Sequence, residues 1–401
     1  MKRLSLAIAG LASSALIMNT ASAAPKFYFG DGKDLEIFQM VQVWSIYTME
    51  NDAVNPNMDA RNDIYIRRGR LGVKGHIRKD ITFKVWFAYD NLGKNEYTAG
   101  TGTPNTTAGK GDNGTENREF YIWDAIWTWH LDKEWANISI GYFRPQVGKE
   151  SITTAFKVIS FQKSLPNFDF RKHIVGRGPG RETGINIGGL KLGKGWSVNY
   201  NVGIFDTNHQ KIVGNGTGSK QPTVGDGEKW SPMYAVRVAF TIGDPEMKKY
   251  KMGYTQTYYG KRNGTTIGLN YTYQGKTDIF DKNGIYAVDI LSNYGPVDFN
   301  AEYDWLYREK GNQDSTDTIW SVKLGYNIKL ENGQIIQPSI MASKEDADTN
   351  TLGVASDKEV YDVGINYLIN KNKLKLNLHY VWGKNKSKDF SYVGLGFQFI
   401  Y

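Results

Sequence analysis

No cysteine occurs anywhere in the 401 residues, so no disulfide staples this fold and a small cross-linked scaffold is excluded. After residue 23 no segment offers the ~20 consecutive apolar residues that a membrane helix needs, which excludes helical spans. The 5 histidines are scattered without ligand spacing, so we expect no metal centre, no cofactor and no catalytic constellation. Repeats of ~40 residues, the mark of a propeller, are missing. "GRGPGRETG" at 176–184 is glycine-rich, but no helical pattern follows it, and a nucleotide-binding loop is not expected.

What is present begins with a leader. Lys2 and Arg3 precede an apolar run from Leu4 to Met18, and "ASA" at Ala21–Ala23 supplies the small residues of a signal-peptidase site. Residues 1–23 are therefore expected to be removed on export, leaving 24–401 as a single domain with a formal charge of +6 after the loss of Lys2 and Arg3 from a total of +8. Aromatics reach 13% and glycines number 44, a composition expected where apolar and polar residues alternate instead of clustering.

The alternation is visible in "YIRRGRLGVKG", Tyr65–Gly75. With a period of two, Tyr65, Arg67, Gly69, Leu71 and Val73 share one face, and Ile66, Arg68, Arg70, Gly72 and Lys74 share the other. Comparable segments recur at 35–48, 63–77, 80–90, 118–131, 135–145, 181–192, 195–206, 230–242, 264–276, 284–293, 296–309, 316–330, 333–343, 358–369, 373–384 and 389–401, sixteen in all. Tight turns such as "GKG" at 193–195 and "NYG" at 293–295 alternate with seven longer loops, the pattern of an up-and-down sheet whose two ends face different compartments. Residues 244–260 read as an irregular connection, a seventeenth strand being the alternative.

One set of faces is apolar and aromatic: Tyr121, Trp123, Ala125, Trp127, Trp129 and Leu131 in the fourth segment, Val297 to Tyr307 in the eleventh. The eight residues from Tyr121 to Trp129 span about 26 Å of strand, a spacing suited to two aromatic girdles. The opposite faces carry Asp124, Arg237, Asp289, Asp298, Glu302, Asp304, Lys323, Asp362 and Lys375, too many charges for a dry core. A transmembrane antiparallel β-barrel of about 16 strands in an outer membrane resolves the conflict, with lipid outside and water inside. "YVGLGFQFIY" at 392–401, ending on Tyr401, resembles the C-terminal strand that barrel assembly machinery reads.

The segment Gln146–Gly180 differs from the Gly/Thr/Asn-rich loops by carrying Val158, Ile159, Phe161, Phe168 and Phe170, which need a surface to pack on. Folded inward, this third loop would narrow the pore. From Arg144 to Arg181 it holds eight basic residues, including Lys149, Lys157, Lys163, Arg171, Lys172, Arg177 and Arg181, against Glu150 and Asp169. With Arg68, Arg70, Lys74, Lys84 and Arg237 from the strands they are the expected channel-lining, anion-binding set; Asp289, Asp298, Glu302 and Asp304 are the expected opposing acidic wall.

"RRGRLGVKG", "FKVWFAYD", "ISIGYFRPQVGKES", "GRETGINIGG" and "YNVGIFD" resemble segments of the phosphate-selective porins O and P. That resemblance covers most of the first half of the mature chain. It implies a sixteen-stranded homotrimeric porin with an inward-folded third loop, anion-preferring and in some members phosphate-binding. The expected function is passive diffusion of small hydrophilic solutes, anions favoured, with phosphate or another oxyanion open. The expected partners are outer-membrane lipid, small anions and the assembly machinery, and no nucleic acid. An adhesin or structural barrel is the alternative, and a barrel hydrolase is a more distant one.

Overall fold

The computed structural model describes residues 24–100, 120–132, 134–175, 180–207, 228–348, 352 and 357–401; the leader at 1–23 and Arg177 lie outside the described residues. The first half of the barrel consists of β1 (Asp34–Asn51), β2 (Arg61–Arg78), β3 (Ile81–Leu92), β4 (Tyr121–Asp132), β5 (Ala136–Phe143), β6 (Glu182–Gly193), β7 (Trp196–Phe205) and β8 (Met233–Gly243). The second half consists of β9 (Gly264–Gln274), β10 (Lys282–Tyr294), β11 (Val297–Lys310), β12 (Gln313–Tyr326), β13 (Ile335–Asp346), β14 (Lys358–Asn372), β15 (Leu374–Asn385) and β16 (Lys388–Ile400). Each pairs antiparallel with its neighbours in sequence, and β16 closes on β1 with Leu395 opposite Ser45. Closure leaves no sheet edge, so every strand finds its hydrogen-bond partners without water, which is what a hydrocarbon surrounding demands. Two short ladders add to the sixteen: Lys26–Tyr28 beside the start of β1, and Ile328–Lys329 beside β13.

Alternation sorts the side chains. On β11 Asp298, Asn300, Glu302, Asp304 and Arg308 are buried inward, while Tyr303 and Trp305 stand on the outer surface. Aromatic rings also meet across strands on the outside, as Tyr361 and Trp382 do with centroids 5.5 Å apart. The tight turns sit at one end with both chain termini. Gly195, between β6 and β7, has φ +75°, a left-handed backbone that glycine adopts without strain.

The connections depart from strict alternation. At the loop end, β11–β12 and β15–β16 are joined by residues 311–312 and 386–387 alone. At the turn end, β8 and β9 are separated by residues 244–263, which begin where the Gly243 N–H donates to the Gly195 carbonyl at 2.9 Å. This segment adds no strand to the barrel; its one bridge in the β sense is Tyr254 to Thr153.

Six strand pairs show a register shift, and two of these shifts reorient side chains beside the lumen. Between β1 and β2, Gln42 faces Arg68 and Val43 faces Ile66, so Arg67 is bulged. Between β3 and β4, Trp86 faces Asp124 and Phe87 faces Ile122, so Trp123 is bulged. Beyond each bulge the alternation inverts. Tyr65, Arg67 and Trp123 are thereby buried, and Tyr121 packs against the cluster of Phe38, Trp86 and Trp123. This corrects the expectation that put Tyr65, Arg67, Tyr121 and Trp123 on the lipid side; the fourth strand's outer aromatics are Trp127 and Trp129.

Candidate functional site

Residues 144–181, between β5 and β6, contain two helices, α1 (Lys149–Ile152) and α2 (Leu165–Val175). Pro166 suits the first turn of α2, where a missing N–H costs nothing. Phe161, Leu165, Phe170, Ile174 and Val175 join Trp44 and Ile46 of β1, Ile285 of β10, Leu306 of β11 and Ile319 of β12 in one apolar cluster. Polar anchors hold the same segment. Lys323 Nζ of β12 lies 2.7 Å from Glu150 Oε1, the Phe161 N–H donates to Asp362 of β14 at 2.8 Å, and Lys358 donates to Asp169 at 2.9 Å. The segment is thus bonded to inward-facing side chains of β12 and β14 and packed on those of β1.

Residues 244–263 meet it from the other end of the barrel. Lys149 Nζ reaches Glu246 at 2.6 Å, the Gln256 N–H donates to the Lys157 carbonyl at 3.2 Å, and Gln256 also donates to the Glu150 carboxylate. Tyr250 and Tyr254 each give a hydroxyl hydrogen bond of 2.7 Å to Asn201 and Asn199 of β7, and their rings pack with Leu190 and Ile152. These tyrosines face chain neighbours about fifty residues distant, which is why no local pattern in the sequence betrays the insertion.

The two insertions cover the acidic residues of the far wall. Asp289 is paired with Arg237 at 2.7 Å, both fully buried. Asp298 accepts from Thr257 at 2.8 Å and from Asn327 at 2.8 Å. Glu302 accepts the Glu150 N–H, and Asp304 lies buried two residues further along β11. None of these four lines the cavity that holds the basic residues. Arg237 and Lys149 are withdrawn for the same reason, and Lys172 sits 3.8 Å from Asp169, away from the cavity lining.

A cavity of about 580 Å³ lies against β1–β5. Of the expected cations, Arg68, Arg70, Lys74, Lys84, Lys157, Lys163, Arg171 and Arg181 line it; Arg177 lies outside the described residues. The structure adds Lys26, Arg67, Arg144 and Lys251. Among the described residues twelve lysines and arginines thus face four carboxylates, Asp34, Glu36, Asp90 and Asp124. Several cations are braced: Arg68 donates to Gln42 at 2.8 Å and to Gln162 at 2.6 Å, and Lys163 donates to the Glu150 carbonyl at 2.6 Å. Arg70 is held by Asp90, with Nη2 to Oδ2 at 2.9 Å, and Asp124 bridges Lys84 at 3.1 Å and Arg181 at 3.0 Å. Burial first, then the charges of Lys251, Lys74 and Lys84, push the Lys157 ammonium below its ordinary range. Such a wall, with low-dielectric protein behind it, focuses a positive potential on the aqueous path.

The sequence profile of the phosphate-selective porins O and P matches residues 42–316. The chain belongs to that family. Like the rest of the family it is an outer-membrane porin. No curated protein matches this porin's sequence. Solved structures share its fold at low identity. An anion-selective porin from Comamonas acidovorans is 11% identical with a TM-score of 0.58, over 92% of this chain and 100% of that one. OprB of Pseudomonas putida is 12% identical at a TM-score of 0.55, over 92% and 94%. The outer-membrane channel DcaP of Acinetobacter baumannii is 15% identical at 0.52, over 95% and 100%.

Proposed function

We propose that this porin is a passive channel for small hydrophilic anions, and that phosphate or a similar oxyanion is retained on its cationic wall. One observation carries the reading: twelve basic side chains against four acidic ones on the open cavity, while on the opposite strands Asp298 and Glu302 bond to the insertions and Asp289 is paired with Arg237. Arg and Lys are the side chains that bind phosphate oxygens, the first as a planar fork and the second as a point charge. Arg70, Arg144, Arg171 and Arg181 surround the same space, and the buried positions of Arg70, Arg171 and Arg181 keep those charges only weakly screened. Passage by diffusion involves no chemical step, so a non-enzymatic role follows from the reading. Export by removal of residues 1–23, assembly through the strand ending at Tyr401, and a homotrimeric state belong to the same proposal.

The test is the zero-current potential of the purified porin in a planar bilayer under a KCl gradient, repeated with inorganic phosphate present. A potential of anionic sign with chloride current reduced by millimolar phosphate supports the reading. Anionic sign without reduction leaves a general anion channel, and cationic sign overturns it.

A further inference from the structure

We infer that Trp123 is a positioning residue for the anion path, holding the Arg70 and Arg181 guanidiniums at a fixed spacing on one indole. The inference rests on the anion-channel reading and deepens it. Arg70 Cζ lies 3.9 Å and Arg181 Cζ 3.6 Å from the centroid of the Trp123 ring. The first arginine comes from the middle of β2 and the second from the residue preceding β6, so nothing in the local chain sets their separation. The indole reaches them because the β4 bulge turns it inward, and it is wedged there against Phe38, Trp86 and Ala88.

Three physical features make this an arrangement for a ligand. Two guanidiniums at such proximity repel, and the negative face of the ring offsets part of that repulsion. A guanidinium lying on a ring keeps its N–H donors in its own plane, pointing past the ring edge, where an oxyanion can meet them. Each arginine is also pinned by a carboxylate, Asp90 for Arg70 and Asp124 for Arg181, and both carboxylates line the cavity. The Arg70 Nε is buried and has no hydrogen-bond partner among the described residues, a donor left over after these fixings. Indole presents a larger and more electron-rich face to each guanidinium than phenyl does.

The experiment uses full-length porin in planar bilayers with potassium phosphate on one side and potassium chloride on the other. The zero-current potential gives the permeability of phosphate relative to chloride, and a KCl gradient on the same channels gives the anion-to-cation ratio. W123L should lower the phosphate-to-chloride ratio about fivefold while the anionic sign persists, because the cations remain. W123F should fall between, and R181K, which keeps the charge but not the flat fork, should move in the same direction as W123L. A purely structural role would lower heat stability and channel yield and leave the ratio of the surviving channels unchanged. An unchanged ratio in W123L, or in W123F should W123L not fold, overturns the inference. Cationic sign in the wild type overturns the anion-channel reading instead, whatever the variants do.

Discussion

Glu150 and Lys323 are 173 residues apart in sequence and 2.7 Å apart in space, both fully buried. Glu150 also accepts the Ser164 N–H at 2.8 Å and the Gln256 side-chain amide, and its own N–H donates to Glu302. One carboxylate thus ties the third loop to the barrel wall and to the insertion from the opposite end.

Removing that carboxylate should loosen the lumen without opening the barrel. E150Q leaves the Lys323 ammonium buried without its counter-charge, a loss of about 3–5 kcal/mol at the anchor. The expected result is larger and noisier single-channel current in a barrel that still resists detergent. The double variant E150Q/K323M, which removes both charges, should recover most of the lost heat stability, and a single-variant current equal to wild type would contradict the anchor.

Selectivity should weaken with salt. Screening lengths fall from about 10 Å at 0.1 M to about 3 Å at 1 M, so a preference set by wall charge shrinks as ionic strength rises. Zero-current potentials at a fixed KCl ratio, measured at two absolute concentrations, check this. A preference independent of salt would point to size exclusion. K157E should reduce it further at either concentration, because that cation has no ion-pair partner among the described residues to absorb the change.

The pH dependence follows from Lys157. Its ammonium is charged below its own pKa and neutral above, and burial with neighbouring lysines lowers that pKa. Positive charge is therefore lost as pH rises through a range lying under the usual lysine value of 10.5. Anion preference should begin to decline in that range in the wild type. K157R should lessen the decline without abolishing it, because burial also lowers the Lys163 ammonium on the same cavity, and the comparison of zero-current potentials against pH measures the difference.

Lipid contact makes a prediction on the outer face. Leu71, near the middle of β2, is 42% exposed on the exterior. L71R should cost about 2–4 kcal/mol if the residue sits at mid-bilayer depth, falling toward zero near either interface. K74M, three residues on and facing inward, should leave folding intact and change only conductance. Heat-induced unfolding in detergent separates the two outcomes.

Sixteen strands could be read from the sequence because period-two alternation survives along almost every one of them. Reading failed where a single inserted residue shifts the period. Arg67 and Trp123 lie in the unbroken runs "YIRRGRL" and "YIWDAIW", and only the pairing of β2 with β1 and β4 with β3 reveals the extra residue. The cations at Arg68, Arg70, Lys74 and Lys84 could be placed on the inner wall since each sits beyond the bulge in regular register. The fate of Asp289 and Glu302 could not, because inward orientation does not say what covers an inward side chain. That depends on Arg237, the third loop and residues 244–263, which arrive from distant parts of the chain.

The two insertions meet inside the barrel, and the cavity lies on one flank of them. Five of the sixteen strands supply nearly all of the strand residues beside the cavity, and the remaining strands meet the inserted segments instead. A solute therefore travels along one sector of the circumference, so rotation of the barrel about its axis decides which neighbours in the membrane stand behind the conducting wall. Thickness of protein around the path is unequal as well: a single sheet separates it from the exterior on one flank, and a packed interior lies on the other. Pulling on the lipid side of β2–β4 would reach the solute directly, whereas the same disturbance on β10–β14 would first have to move a core.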